Sequence, residues 1–422
     1  MANTLITNIA LYDGEKFFPK GCVLITDGRI AYAGEDGGYS VTGARVIDGK
    51  GGICMPGLVN AHTHAPMTLL RGIGADLPLR EWLERLWPIE DRLDDDAVYW
   101  GSMLAIAEML RRGITCYADM YMFVEECVHA AKDAGIRANL SRPVTADDGE
   151  RLREAVSTYR QWDGAGDGRI KIFLALHAEY TSGPEHVAPL RDAALELGTG
   201  VHVHISETDR EVGECYERRG VSPVRYFEQL GLYDCHTLAA HCVSIDEEDI
   251  RILAERGVWV AHNPISNLKL ASGVAPVREM LGAGVRLALG TDSVASNNQY
   301  DLFAEMRMAA ILQKGIHKDS TLMPVQSVLA MGTRMGARAL GFEDVGTLTP
   351  GARADLILLD PNAENLSSTI DSLADLVYSA QGLNVRLTMV DGKVLYQDGV
   401  FTTIDAERMM AMFRKAQKRL LG

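Results

Sequence analysis

The chain has 422 residues, 47% of them hydrophobic and 23% charged, a profile that suits a globular protein with a large core. Its net charge of −15 argues against a nucleic acid partner, because neutralising phosphates takes a surplus of Lys and Arg. The seven cysteines are scattered without a Cys-x-x-Cys pair, which speaks against a disulfide framework and for a reducing cytoplasm.

The first residues lack a basic start followed by a long apolar run, so no secretory signal is expected. Nor is there a run of about 18 uncharged apolar residues, so no membrane span is expected. Short strands open the chain: Leu5–Tyr12, then Asp13-Gly14; Val23–Thr26, then Asp27-Gly28; and Arg29–Ala33. Asp-Gly between apolar runs is a strong hairpin signal. From residue 57 the rhythm changes. Eight apolar runs recur, most opened by Gly and nearly all closed by a polar residue: Gly57–His64, Gly113–Asp119, Gly135–Arg142, Arg169–His177, Gly200–Glu207, Thr237–His241, Gly257–Asn263 and Gly284–Asp292. Segments with apolar residues at helical spacing lie between them, at Ala97–Arg112, Ile245–Arg256 and Val274–Ala283. Eight strands alternating with helices predict an α/β fold, a closed (β/α)8 TIM barrel. Two helical stretches follow, Asp301–Lys314 and Met323–Leu340. The short-strand texture then returns at Asp355–Asp360, Val385–Val390 and Lys393–Tyr396, with Asp391-Gly392 between the last two. Residues 1–55 and 345–422 are therefore expected to form one small composite β-sandwich-like domain beside a barrel of residues 56–344. Ile404–Leu421 reads as an amphipathic helix with a basic face that docks on the barrel or on a subunit partner.

In a TIM barrel the chemistry sits at the C-terminal ends of the strands. His62 and His64 stand two apart on the first strand, so both rings can turn to the barrel mouth and chelate one divalent metal ion. Taken alone, such a pair is as often two polar residues at a strand end. His204 on strand five and Asp292 on strand eight offer a third and a fourth ligand. His202 shares the face of His204 one layer deeper and reads as a packed, hydrogen-bonded histidine. Glu207, just past strand five, is placed to move protons between water and a ring nitrogen. His241 ends strand six and can hydrogen-bond the hydrolytic water. His177 ends strand four at the same mouth. His262 ends strand seven and is as suited to fixing a loop as to touching substrate.

The runs Pro56–Met67, His204 with Glu207, Ala240-His241-Cys242 and Gly290-Thr291-Asp292 resemble the amidohydrolase superfamily. More narrowly, Met67–Gly72, Asp76–Leu79 with Glu81-Trp82-Leu83, Pro88-Ile89-Glu90, His262-Asn263-Pro264 with Ser266–Lys269, and Ser296-Asn297-Asn298 resemble the 5′-methylthioadenosine/S-adenosylhomocysteine deaminases. The resemblance runs over nearly the whole chain. It implies one divalent metal ion per subunit, zinc with iron or manganese as alternatives, held by His62, His64, His204 and Asp292. It implies Glu90 as acceptor for ribose hydroxyls, where spacing alone leaves a surface carboxylate open. It implies Arg142 and Arg151 in the outer pocket, where a guanidinium forks onto a carboxylate, and His177 near the nucleoside. Glu207, His241 and Asp292 would be the catalytic set, acting on a small-molecule nucleoside in a homo-oligomer. Two departures bear on the pocket: Ser293-Val294, where the family often has smaller residues, and Glu179, where a proline is common. The same residues also suit a triazine, pterin or guanine-type hydrolase of the same superfamily. A reading of another class is a non-catalytic barrel scaffold.

Overall fold

The computed structural model describes residues 3–145, 149–366 and 372–422. Strands β1 (Asn3–Tyr12), β2 (Phe17–Thr26), β3 (Arg29–Glu35), β4 (Arg45–Asp48) and β5 (Ile53–Pro56) come first. Eight follow with helices between them: β6 (Leu58–Asn60), β7 (Ile114–Met120), β8 (Arg137–Val144), β9 (Ile170–Leu176), β10 (Val201–Ile205), β11 (Thr237–His241), β12 (Trp259–His262) and β13 (Arg286–Leu289). Last come β14 (Leu356–Leu359), β15 (Val385–Val390), β16 (Lys393–Gln397) and β17 (Val400–Phe401).

Strands β6 to β13 pair in chain order, every neighbour parallel. Two backbone bonds join the ends of the series: Ala61 N–H to Leu289 O at 2.8 Å and Asp292 N–H to His62 O at 2.9 Å. The eight runs read from the sequence thus form a nearly closed TIM-like barrel. Its strands are buried on both faces, as all seven residues of β7 show, which is why they read as continuous apolar runs rather than as an alternation. Several helices start where a side chain caps them. Asp94, for example, accepts from Ala97 N–H at 2.9 Å at the head of helix Asp95–Arg111.

The second sheet draws on both chain ends, in the order β17-β16-β15-β14-β5-β1-β2-β3 with β4 beside β1. Its core is apolar, built from residues such as Ile6, Leu11, Val23, Leu356 and Leu387. Asp27-Gly28 (φ 49° and 77°) and Asp391-Gly392 (φ 47° and 73°) are two-residue turns with both φ positive, as a tight hairpin requires. Asp13-Gly14 instead opens a longer loop, in which Asp13 Oδ1 accepts from the backbone of Glu15 (2.8 Å) and Lys16 (2.7 Å).

One expected helix differs. Met323–Leu340 splits into Val325–Met331 and Arg334–Ala339. The Gly332 carbonyl leaves the helical ladder to accept from Val59 N–H of β6 at 2.9 Å, so a tertiary bond interrupts a locally good helix. The C-terminal helix, Ala406–Leu421, docks on the barrel: Met409, Phe413, Ala416 and Leu420 are buried, and Gln417 donates to Leu69 O at 2.9 Å. All seven cysteines are free and buried. Among the described residues no helix is long and apolar enough to cross a membrane.

Candidate active site

Each polar residue that closed an apolar run arrives at one end of the barrel. His204 lies in β10, and His241 is the last residue of β11. His62 and His64 stand just beyond the short β6, His177 just beyond β9, Glu207 beyond β10 and Asp292 beyond β13. Three of the turns that deliver these groups carry positive φ at four non-glycine residues: Ser206 (51°), His241 (77°), Cys242 (47°) and Asp292 (61°). Such backbone is held by its surroundings at a cost, and strain of this kind collects at functional sites.

The structure brings the predicted metal ligands together. His64 Nδ1 donates to Met120 O at 2.7 Å and His204 Nδ1 donates to His177 O at 2.7 Å. A carbonyl can only accept, so in the neutral ring each Nε2 carries the lone pair. Those two Nε2 atoms face each other at 3.3 Å. Asp292 Oδ1 lies 3.5 Å from His62 Nε2 and 3.4 Å from His64 Nε2. His62 Nε2 is buried and has no hydrogen-bond partner. Two overlapping groups, His62/His204/His241 and His62/His64/Asp292, have all their ligand atoms within 4.8 Å of one another. Converging lone pairs and an orphaned nitrogen beside a carboxylate fit a divalent cation in their midst. His202 sits behind this group, its Nε2 3.0 Å from His62 Nδ1. It steadies the His62 ring.

Further ionisable groups stand around that point. Glu207 Oε2 is 3.9 Å from His241 Nε2. Burial, reinforced by Asp292, lifts the Glu207 carboxyl above its ordinary range against the pull of His241. His241 moves the other way: burial lowers it, but the carboxylates of Glu207 and Asp292 outweigh burial and raise it. Asp292 is pushed up by burial and pulled down harder by the neighbouring imidazoles, His62 foremost, so it is held well below the carboxylate range. Its Oδ2 accepts from Ser266 (2.6 Å) and Ser296 (3.0 Å).

These residues floor a cavity of about 500 Å³, lined at this end by His64, His204, Glu207, His241 and Asp292. Glu90, Arg142, Arg151 and His177 line the same cavity. Glu90 is the last residue of helix Leu79–Glu90 and accepts from Tyr121 OH at 2.6 Å. Burial raises its carboxyl despite that bond. Arg142 Nε donates to Glu154 at 3.0 Å. Burial drops His177 to about 4, so its ring is neutral near pH 7. Met67, Trp82, Leu83, Trp87 and Leu270 supply apolar wall.

The positions whose part in the pocket the sequence left open lie off the cavity wall. Ser293 and Val294 are fully buried and do not line the cavity. Ser293 acts on the site through its N–H, which donates to Asp292 Oδ1 at 2.7 Å. Glu179 also stays off the cavity. It is fully buried against Arg218 (2.5 Å) and Arg219 (3.1 Å), an ion pair that pins the loop carrying Tyr180 and Thr181, which do line it. His262 is buried behind the site, its carbonyl accepting Gly290 N–H at 3.0 Å, and is no part of the cavity wall. Two contributors escaped the sequence reading. Tyr121 sits one residue past β7, so the strand-end logic that picked the histidines reaches it. Asn267, whose Oδ1 accepts from His241 Nδ1 at 2.9 Å, lies in the short helix Pro264–Lys269, off the strand ends, and within the motif Ser266–Lys269 it carried no assigned role.

The amidohydrolase family model matches residues 53–395. A 5-methylthioadenosine/S-adenosylhomocysteine deaminase of Moorella thermoacetica is 47% identical over 403 residues, 94% of each chain. An adenosine deaminase structure from Xanthomonas campestris with bound zinc superposes with a TM-score of 0.95 at 35% identity, covering 100% of this chain and 99% of that one. An atrazine chlorohydrolase of Arthrobacter aurescens, complexed with zinc, gives 0.91 at 25% identity, covering 98% and 100%. With the fold, the converging ligands and these matches in agreement, the chain belongs to the amidohydrolase family.

Proposed function

We propose that this chain is a metal-dependent hydrolytic deaminase that converts the adenine of 5′-modified adenosines to hypoxanthine, releasing ammonia. Its substrates are 5′-methylthioadenosine and S-adenosylhomocysteine, with 5′-deoxyadenosine and adenosine as further candidates. One observation carries the reading: a single cavity holds the histidine–aspartate cluster with Glu207 at one end and the buried Glu90–Tyr121 pair in its wall. That combination suits a purine at the cluster and a ribose against Glu90. The deaminase named for the Moorella relative supports it.

His62, His64, His204 and Asp292 would hold one divalent ion, zinc being the metal in the Xanthomonas structure. When bound, such an ion would lower the pKa of water toward about 7 and so supply a nucleophile at neutral pH. Glu207, its carboxyl raised by burial, donates a proton to N1 of the adenine, and C6 becomes electrophilic. Asp292 and His241 orient the attacking water and take one of its protons as oxygen bonds to C6. Glu207, now a carboxylate, collects the proton of the added hydroxyl and passes it to the amine. The C6–N bond then breaks, ammonia leaves and a carbonyl forms. The proton left with Asp292 and His241 returns to Glu207 by way of His241, whose Nε2 is 3.9 Å from Glu207 Oε2, resetting the site. Arg142 and Arg151, in the cavity wall, suit the carboxylate of an amino-acid tail.

The test is ammonia release from the four nucleosides by zinc-loaded protein. Silence on all four with metal bound would overturn the substrate class. Glu90→Ala separates this reading from a triazine or free-base hydrolase: kcat/KM on nucleosides should fall about 100-fold or more, since a buried acceptor for hydroxyls is lost. A ring without ribose should not register the change.

A further inference from the structure

Thr208-Asp209-Arg210-Glu211 has the pattern of a capping box at the head of helix Asp209–Arg219. Half of that box is present: Thr208 Oγ1 accepts from Glu211 N–H at 3.1 Å. The other half would have the Glu211 carboxylate accept from Thr208 N–H. Instead it reaches further back. Oε1 accepts from Ser206 N–H at 3.1 Å and Oε2 accepts from Glu207 N–H at 2.7 Å. Glu211 is only 7% exposed, so a long acidic side chain has been buried to make these two bonds. Burying a carboxyl is costly unless its hydrogen bonds are well made.

The bonds fall on the one turn that aims Glu207. Ser206 holds φ at 51°, which a residue with a Cβ adopts only under constraint. The Ser206 carbonyl is tied as well, accepting from Val243 (3.0 Å) and Ser244 (2.9 Å) just beyond His241. At the tip of the Glu207 side chain, Ser272 Oγ donates to Oε1 at 3.4 Å. Glu207 is thus held at its backbone by one carboxylate and at its carboxyl by one hydroxyl.

We infer that Glu211 is a positioning residue for proton transfer: its carboxylate straps the Ser206-Glu207 amides and so sets where the Glu207 carboxyl stands. The inference rests on the deaminase reading, in which Glu207 moves the proton. Gln at position 211 can accept from only one of the two amides and presents an NH2 to the other, so the strap loosens without a change of volume.

The test uses the zinc-loaded full chain and Glu211→Gln, Glu207→Gln and the double variant. Glu211→Gln should lower kcat about 10- to 100-fold with KM within about twofold, the scale on which supporting groups act. Metal content and Tm should stay near wild type, while amide exchange at residues 206–207 speeds up. Combined with Glu207→Gln it should add no further loss, because it acts through that residue. Multiplying losses in the double variant, or an unchanged kcat, would overturn the inference. Thr208→Ala removes the other half of the cap and should spare kcat; if it matches Glu211→Gln, helix capping is the whole effect and the strap is refuted. Two readouts do not depend on these variants. In wild-type protein the Ser206 and Glu207 amides should exchange slowly, and fast exchange there refutes the strap even if Glu211→Gln fails to fold. A wild-type protein inactive on all four nucleosides would instead fail the deaminase reading, with the exchange result still judging the strap.

Discussion

Single side chains in this molecule are governed by what burial does to charge. Glu305 illustrates this away from the reacting atoms. It is buried, accepts from Asn297 Nδ2 (2.5 Å) and Ile265 N–H (3.3 Å), and burial pushes its carboxyl up to about 8. Between the unfolded value of 4.5 and about 8 the folded chain keeps this proton and the unfolded chain has lost it. The native state binds more protons in that window, so its stability contribution is full below 4.5 and declines as pH rises toward 8. Glu305→Gln should remove that slope. Its Tm should gain steadily on wild type from pH 5 to pH 8, and a constant difference across the range would contradict the assignment. Such a group cannot be singled out in the sequence, where Glu305 looks like any other acidic residue on an amphipathic helix.

Between elements, the deciding quantity is how closely backbones approach. Gly290, one residue past β13, has no room for a side chain: a Cβ there would lie 2.4 Å from Asn263 Oδ1 and 2.9 Å from His62 N. Gly290→Ala should therefore push the His62 segment away. The expected cost is about 1–3 kcal/mol in stability, with less metal retained by elemental analysis. Gly213, on the exposed face of helix Asp209–Arg219, meets nothing within 4 Å. The same substitution there should stabilise by up to about 1 kcal/mol, since Ala holds a helix better than Gly. Denaturation of the two variants side by side should give shifts of opposite sign. The Gly332 break belongs to this scale too. The spacing predicts one helix across it, and a bond to β6 overrides that preference.

For the molecule as a whole, one charge knot ties the barrel to the terminal sheet. Arg137, the first residue of β8, has a side chain only 1% exposed and pairs with Asp355 (2.8 Å) and Asp391 (2.6 Å). Asp355 precedes β14 and Asp391 sits in the β15–β16 turn, so one guanidinium serves both sheets. Arg137→Ala would take from the buried Asp355 its ion-pair partner and leave Asp391 to Arg353 (3.3 Å) and Arg169 (3.8 Å), at a cost of about 3–5 kcal/mol. The cavity opens near the other end of β8, where Arg142 lines it. The expected result is a lower Tm with near-normal turnover below the transition. Lost turnover at a temperature where the variant is still folded would show that the knot also shapes the site.

Eight runs of apolar residues closed by His, Asp, Glu, Asn or Arg were enough to read a barrel and to pick His62, His64, His204, Glu207, His241 and Asp292 as one group. Burial on both faces and chemistry at strand ends are both written locally along the chain. What the chain order could not disclose is which distant atoms meet. That Tyr121 serves Glu90, that Ser266 and Ser296 hold Asp292, that Glu179 answers Arg218 and Arg219 rather than the substrate, and that Glu211 skips its own helix cap to grip Glu207 were settled by packing alone. Periodicity records whether a residue faces the core. Hydrogen bonds and ion pairs depend on the few ångströms between side chains brought together from remote segments, and only the folded chain sets those distances.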